Sequence, residues 1–376
     1  MTEYTVRPPG FWRGFWIIAS LELRQRLRSR ALLVLAIVWF CVIGLVTVLA
    51  WTTLTALFGA YGSAADGYPL FSLIVYFVLL FGTLVAPAIS AGSIGAERNQ
   101  ATLATTQVTL IGTWSILLGK ALAAWLTGIA FLVVAAPFVV FSLVFSQAGV
   151  AQLLVALLAL ALQIGVFTVI GVGLSAMISS PVFAIVLSYL LVALLSVGTL
   201  IAFALAVGAS TRYVEVENRV LTQQYYDRVA ACPADDDDCR AAVPLECEST
   251  VNPQSYTPTH RYWWILALNP YVVVADMVPL ELERGNPNDL FGAVSLGMRA
   301  LQLEPEPPTG WDECKPYESS SSGLSSSESD SIFDKTVPVW WIGFGLQLVL
   351  IAGALWGGYR KLKTPAAKLP RGSRVA

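Results

Sequence analysis

The sequence has very few charges, and long parts of it have none. Charged residues make up 13% of its 376 residues, against about a quarter in an ordinary soluble domain. From Ala121 to Thr211, ninety-one consecutive residues include no Asp, Glu, Lys, Arg or His, and segments 31–56, 68–94 and 337–359 are equally uncharged. Ion-driven transporters and intramembrane enzymes usually place ionisable residues inside their spans. Both classes are therefore disfavoured, and any driving force is expected to come from outside the membrane part.

Two further absences exclude kinds of site. His260 is the only histidine, so a site with paired histidine ligands and the His-Glu-x-x-His protease pattern are both excluded within this chain. Gly119-Lys120 is followed by Ala121 instead of Ser or Thr, and Gly112 lies seven residues upstream of Gly119. This spacing does not fit a phosphate-binding loop. We therefore expect no catalytic site, metal or cofactor in the chain, and no nucleic-acid binding.

What the sequence has is hydrophobicity in long runs. Hydrophobic residues make up 56% of the chain, and its mean hydropathy is +0.66. Runs of about 20 apolar residues suffice to cross a membrane as helices. Six such runs lie at about 31–56, 68–94, 117–146, 151–177, 182–209 and 338–358. The expected fold is an all-α polytopic membrane protein with six transmembrane helices.

The charges are sorted between two sides. Fourteen of the 23 basic residues lie in residues 1–30, in the loop after the second run and in the tail 359–376, where only three residues are acidic. The positive-inside rule places both termini in the cytosol. Segment 210–337, with 21 acidic and nine basic residues, then becomes a large extracytoplasmic domain between helices 5 and 6. With no glycosylation sequon, a bacterial cytoplasmic membrane is expected.

Four of the five cysteines lie in this outer segment, which predicts disulfides in an oxidising compartment. Cys232, Cys239, Cys247 and Cys314 allow three connectivities. We adopt Cys232–Cys239 with Cys247–Cys314 as a working assignment. Cys41 lies alone in the first apolar run and is interpreted as an apolar filler.

The N-terminal segment predicts an amphipathic elbow helix, and the outer segment is composite. Within 9–30, one apolar stripe contains Trp12, Trp16, Ala19, Leu23 and Leu27, while Glu22, Arg26 and Arg30 lie on another face. In the outer segment we predict a helix over 211–231, a loop over 232–260, a re-entrant or surface-lying helical pair over 262–281 broken at Asn269-Pro270, a helix over 288–303 and a flexible stretch over 304–330.

Two acidic features of the outer segment have competing interpretations. The run Asp235–Asp238 lacks the alternating ligands and glycine of an EF-hand loop, so a solvated loop is preferred to a calcium site. Asp276 could contact a substrate, but a helix cap or a salt bridge is the preferred interpretation.

The segment after the second run carries the most specific motif. It contains Ser90-Ala-Gly-Ser-Ile-Gly-Ala-Glu97-Arg98, then Ala101-Thr102-Leu103, then Gly112 and Leu118-Gly119-Lys120. It resembles the signature of type-2 ABC exporter permeases, in which a span ends in Glu-Arg, a Gly-Thr-Leu follows and a Gly-Lys opens the next span. Ala101 departs from the family pattern, as does Val108-Thr109 where a Thr-Pro pair is frequent.

The resemblance implies a permease that couples to a separate ATPase through segment 94–114. The residues implied in that coupling are Glu97, Arg98, Thr102, Leu103, Gly112 and Lys120, with Glu22 and Arg26 of the elbow helix. ATP and magnesium would bind the partner ATPase subunits. A second copy or a homologous permease would complete the transporter in the lipid membrane, and an envelope protein is a further candidate partner at the outer domain.

The expected function is export of an amphipathic or hydrophobic substrate, driven by ATP hydrolysis on the separate subunit. The alternative is a non-transport sensor or anchor whose outer domain binds an envelope ligand. The expected organisation is a cytosolic N-terminus and elbow helix over 1–30, helices 1–5 over 31–209, the outer domain over 210–337, helix 6 over 338–358 and a basic cytosolic tail over 359–376.

Overall fold

The chain folds around a bundle of long apolar helices. The computed structural model describes residues 10–58, 68–99, 112–146, 148–233, 236–279, 282–283, 286–287, 289–315 and 326–363. All six predicted runs are helices long enough to cross a membrane. They are span 1 (Arg30–Phe58), span 2 (Tyr68–Ser90), span 3 (Thr113–Ser146), span 4 (Val150–Met177), span 5 (Pro181–Ser210) and span 6 (Val339–Leu362). The predicted six-span, multi-pass membrane protein is confirmed.

Spans 2, 3 and 4 form the centre of the bundle, and aromatic packing joins span 1 to them. The Trp39 ring of span 1 is 1% exposed and stacks on Phe81 of span 2, with ring centroids 3.6 Å apart. Its indole N–H donates to the Phe131 carbonyl of span 3 over 3.2 Å. The buried indole is thus packed and hydrogen-bonded, as burial of a polar group requires. The outward faces of spans 1 and 5 stay apolar and exposed, as lipid-facing surfaces are.

Spans 4 and 6 approach closely because both present small residues at their contact. A methyl group added to Gly173 would lie 2.7 Å from the Ala354 carbonyl carbon, and one added to Gly358 would lie 2.8 Å from the Ala176 Cβ. Not every glycine of span 6 serves this contact, since a methyl group on Gly353 would meet no described atom within 4 Å.

Gly173→Ala is expected to destabilise the bundle by about 1–3 kcal/mol, because overpacking forces neighbouring backbone apart. Gly353→Ala makes the same chemical change on the open face of span 6 and should leave stability unchanged or slightly improved. Thermal unfolding of the two variants in detergent checks this. Equal melting temperatures would contradict the close contact of spans 4 and 6.

The outer segment is not all-helical, and the prediction there is corrected. A strand, β1 (Arg212–Leu221), pairs antiparallel with β2 (Cys247–Tyr256). Short helices Gln223–Ala231 and Asp237–Ala242 lie between them. The predicted helix over 211–231 is thus wrong in its first half, and the predicted loop over 232–260 contains a helix and a strand. A two-residue strand pair, Leu282–Glu283 with Asn286–Pro287, follows later in the chain.

The apolar part of the outer segment does form a broken helical pair. Helices Trp263–Ala267 and Pro270–Met277 are separated at Asn269, and helix Leu290–Ala300 packs beside the second of them. Segment 301–315 has no regular helix, but its residues Trp311 to Glu313 bond to Arg219 of β1. Residues 316–325, with most of the serine-rich run, lie outside the described residues. A final helix, Ser326–Lys335, precedes span 6.

Two disulfides join the outer segment. They pair Cys232 with Cys239 and Cys247 with Cys314, the assignment adopted above. The second bond holds the end of segment 301–315 against the start of β2, 67 residues away in sequence. Cys41 is free and exposed on span 1.

Replacing Cys247 and Cys314 together with serine should destabilise the strand pair by about 4 kcal/mol, because this bond closes a long loop in the unfolded chain. Removing Cys232 and Cys239 should cost less, since their loop is short. Cys41→Ser is the matched control and should change nothing. Limited proteolysis between 212 and 256 measures the effect, and equal protection in all three variants would contradict it.

Candidate functional site

Four charged side chains from three separate elements meet at one end of the bundle. We call Glu22, Arg26, Glu97 and Lys120 the ion-pair cluster. The Lys120 Nζ of span 3 lies 2.6 Å from Glu97 Oε1 and 3.1 Å from Glu22 Oε2. Arg26 donates from Nε and Nη2 to Glu22 Oε1, over 3.3 and 3.0 Å. Lys120 is only 3% exposed, so the two carboxylates take the place of the water that would surround an exposed ammonium group.

Glu97 is delivered by a short helix, Ser93–Asn99, that follows span 2 after a turn at Ala91-Gly92. A residue of span 4 caps this helix, because the Ser175 hydroxyl accepts from the backbone N–H groups of Ile94 and Gly95 over 3.1 and 3.2 Å. These are donors that the first turn of a helix leaves free. Ser175 therefore fixes the position of the helix that carries Glu97.

The 93–99 helix contacts the ends of several spans at once. Its Ile94 is fully buried with Leu117 of span 3, Val172 of span 4 and Leu362 of span 6. A methyl group on its Gly95 would lie 3.2 Å from the Pro181 Cα at the start of span 5. A displacement of this helix would therefore be transmitted to spans 3, 4, 5 and 6.

The N-terminal helix (Phe11–Leu27) packs along the first turns of span 3. Gly119 permits this contact, since a methyl group there would lie 3.0 Å from both Ile18 Cβ and the Phe15 carbonyl oxygen. The Ser115 hydroxyl donates to the Phe11 carbonyl over 3.1 Å. The predicted apolar stripe divides between two faces: Ala19 is buried against the bundle, whereas its two tryptophans and Leu27 are exposed.

Electrostatics keep Glu22 ionised in this setting. Burial alone would raise the pKa of Glu22, but the positive charges of Lys120 and Arg26 outweigh it and lower that pKa below the ordinary 4.5. A carboxyl with a lowered pKa contributes stability above its ordinary pKa, and that stability is lost as the pH falls through the lowered value. Glu22 is thus ionised at neutral pH, and its contribution to the cluster is lost only in acid.

The structure brings half of the predicted coupling residues together. Glu22, Arg26, Glu97 and Lys120 meet in the cluster, although their role in coupling remains a prediction. Gly112 lies just before span 3, where its carbonyl accepts from the Ile116 N–H, away from the cluster. Thr102 and Leu103 lie outside the described residues, as does the side chain of Arg98. Span 3 begins four residues earlier than predicted, so Lys120 lies two turns inside it.

Two further polar joints lie in the outer helical pair. The Asn269 amide donates to the Ser196 carbonyl and the Thr199 hydroxyl over 2.7 and 3.0 Å, while its Oδ1 accepts from the Tyr271 N–H. Ser196 lies in a π-helical turn of span 5, Leu194–Gly198, a type of turn that leaves backbone groups in need of a partner. Asn269 thus caps its own helix and satisfies the irregular turn of span 5.

Asp276 is the second joint, and both preferred interpretations of it hold. Its side chain is fully buried and accepts from Arg299 Nε at 3.1 Å and the Ser295 hydroxyl at 2.7 Å. It also accepts from the backbone N–H groups of Val339 and Trp340, over 2.6 and 3.0 Å. Asp276 is therefore a salt-bridge partner and the cap of span 6, since it satisfies free donors at the first turn of that helix.

Sequence reasoning missed a buried glutamine pair between spans 4 and 6. The Gln163 amide donates to Gln347 Oε1 over 3.0 Å, and both side chains are essentially unexposed. The signal was available, because an amide side chain in an otherwise apolar span is unusual and normally finds a partner inside the bundle.

A large apolar cavity opens between spans 2 and 5 beside the outer helical pair. It has a volume of about 690 Å³. Most of its wall is aliphatic, and its polar groups are uncharged. Those groups come from Tyr76, Thr83, Tyr189, Ser196, Asn269 and Tyr271. Such a wall suits a ligand that is mainly apolar and carries a few hydrogen-bonding groups.

No group of three or more metal-ligating side chains occurs in the part of the chain that the structure describes. The acidic run is used structurally where it is described: Asp236 Oδ1 accepts from the Cys239 N–H, and Asp237 pairs with Arg240. Asp235 lies outside the described residues. His260 sits in a short 3-10 turn of the outer segment.

Comparison with known proteins adds one finding. No curated protein sequence matches the chain. The family model described as "ABC-2 family transporter protein" matches residues 16–259, which cover most of the N-terminal helix, spans 1–5 and the β1–β2 pair. Since the match extends over more than half of the chain and agrees with the six-span bundle, the protein belongs to the ABC-2 transporter permease family and is a transmembrane component of an ABC transporter.

Proposed function

We propose that this chain is the membrane-spanning subunit of an ATP-driven exporter and that its ATP is hydrolysed on a separate subunit. Family membership implies ATPase partners, and the nucleotide-loop spacing fails in this sequence. The observation that carries the proposal is the ion-pair cluster. It ties the N-terminal helix, the 93–99 helix and span 3 into one body at the basic end of the bundle. An ATPase pressing on the 94–114 segment would move that body as a unit.

The route from this body to the cargo runs through packed side chains. The 93–99 helix packs on spans 4 and 5, is joined to span 3 by the Glu97–Lys120 ion pair and shares a buried cluster with Leu362 of span 6. Span 5 in turn lines the 690 Å³ cavity. We propose this cavity as the cargo site. Its uncharged wall favours an amphipathic or hydrophobic cargo over an ion, because a charge in such a wall would be left unpaired. Two permease copies, or one copy with a homologous permease, would close the path between them in the cytoplasmic membrane with both termini in the cytosol.

Coupling is tested with the purified complex. The chain is isolated with its candidate ATPase, and ATP hydrolysis is measured in vesicles with and without an amphipathic cargo such as a fluorescent lipid or drug. Glu97→Gln should abolish cargo stimulation while the ATPase still copurifies. Asp227→Asn, an exposed acid of the outer segment, is the matched control. Failure of any ATPase to copurify, or full stimulation in Glu97→Gln, would refute the coupling proposal.

The exposed disulfide-bonded outer segment favours one second candidate, a sensor that binds an envelope ligand. Leu221 pairs with Cys247 at the end of the strand pair, so residues 223–245 can be replaced by an Asn-Gly turn without disturbing the joints at Asn269 and Asp276. An exporter should retain cargo-stimulated hydrolysis after this replacement. A sensor that uses this tip should lose its response.

A further inference from the structure

We propose that a groove beside Arg26, between spans 1 and 3, binds an anionic phospholipid of the surrounding membrane. The groove has a volume of about 190 Å³ and begins where the N-terminal helix meets span 1. It is separate from the cavity between spans 2 and 5, and binding there does not depend on the exporter proposal.

The shape and lining of the groove fit an acyl chain. It extends along span 3 from Thr127 to Val134 and along span 1 from Leu32 to Ala36. At 1.5 Å per residue the span 3 stretch is about 10 Å long. Below the mouth the wall is aliphatic and aromatic except for Thr127, whose hydroxyl donates to the Ala123 carbonyl in its own helix. The interior of the groove is therefore apolar enough to hold an acyl chain.

The mouth of the groove fits a phosphate. Arg26 and Ser29 line it, and the flanking Arg28 and Arg30 are both exposed. Arg26 spends three N–H donors on Glu22 and on the Ile89 carbonyl, out of the five that a guanidinium carries. The ion-pair cluster is neutral, because Glu22 and Glu97 balance Arg26 and Lys120. The net positive charge at the mouth therefore comes from Arg28 and Arg30. Basic pockets between helices bind anionic headgroups in this way.

Charge selects the headgroup, and the ion-pair cluster gives binding a consequence. A zwitterionic lipid could fill the apolar part but would gain little at the arginines. A phosphate beside Arg26 would fix the position of the Arg26 side chain, which also bonds to Glu22 of the cluster. Anionic lipid should therefore stabilise the cluster as well as the groove.

The test compares retention of lipid in vesicles of phosphatidylcholine alone or in an equal mixture with phosphatidylglycerol. After extraction in detergent, native mass spectrometry counts retained lipid, and thermal unfolding reports stability. Phosphatidylglycerol should be retained and should raise the melting temperature. Ala130→Phe, which fills the groove from an exposed position, should abolish both effects. Ala202→Phe on the exposed face of span 5 is the matched control and should preserve them.

The charge requirement is tested by Arg28→Gln with Arg30→Gln, which leaves the bonds of Arg26 in place. The preference for phosphatidylglycerol should fall by roughly tenfold, since each arginine near an anionic lipid surface raises the binding affinity several-fold. Arg13→Gln with Lys361→Gln removes the same charge elsewhere and should keep the preference. Equal retention of both lipids by the native chain would overturn the proposal. Retention of phosphatidylglycerol that is unaffected by Ala130→Phe would also overturn it. So would a disulfide between two copies of the chain in the variant Ala130→Cys, because it would show that a second copy covers the groove.

Discussion

Asp276→Ala is expected to lower the free energy of unfolding by about 3–5 kcal/mol, the cost of breaking a buried ion pair by removing one partner. The substitution leaves Arg299 buried without its carboxylate and the first turn of span 6 without its cap. Hydrogen exchange at Val339 and Trp340 and thermal unfolding in detergent measure the two consequences.

Three controls separate charge from shape at Asp276. Asp276→Asn keeps the acceptor toward span 6 and should cost less than Asp276→Ala. Asp276→Leu combined with Arg299→Leu should recover part of the loss, because no buried charge is then left unpaired. Asp227→Ala removes an exposed acid from the same segment and should be neutral. A wild-type melting temperature for Asp276→Ala would contradict the assigned role.

Lys120→Met is expected to lower the free energy of unfolding by about 3 kcal/mol, at the lower end of the range for buried pairs. The reason is that Glu22 keeps Arg26 as a partner. Glu22 and Glu97 also keep some exposure, with 12% and 27% of their side chains accessible, so water can partly solvate both carboxylates. Thermal unfolding at neutral pH measures this loss.

The pH dependence provides the internal control for Lys120. Acid should narrow the difference between Lys120→Met and the native chain, because protonated carboxyls no longer need a cation. Lys120→Arg keeps the charge and should retain most of the stability. A difference that stays constant as the pH falls through the lowered pKa of Glu22 would show that packing, and not charge, is what the substitution removes.

The spans could be placed from the sequence because charge-free stretches of this length have one stable form in lipid. The ion-pair cluster was accessible in part, since Glu97 and Lys120 stand in a recognisable motif and Glu22 and Arg26 share one face of a helix. The contacts between these side chains could not be predicted, because they depend on the position of the N-terminal helix along span 3. The close contact at Gly119 sets that position.

The strand pair was missed although β1 carries a period-two signal. Val214, Glu215, Val216 and Glu217 alternate apolar and charged residues, which is typical of a strand. The mixed charges were interpreted as helical instead. Little of β1 is buried, only Val216 and Asn218. The stability of β1 therefore depends on its pairing with β2 and on the Cys247–Cys314 bond. Neither is visible in a local stretch of sequence.

Asn269 and Asp276 stand at opposite ends of one eight-residue helix, one bonded to span 5 and the other to span 6. That helix links spans 5 and 6 at a fixed distance. A conformational change that separates the outer ends of these two spans has to break the hydrogen bonds of Asn269 or of Asp276, whereas a change that moves the two spans as one body breaks neither. Spin labels at Leu205 and Leu346 should therefore report a constant separation through ATP binding and hydrolysis, even while both labels change their distance to span 1.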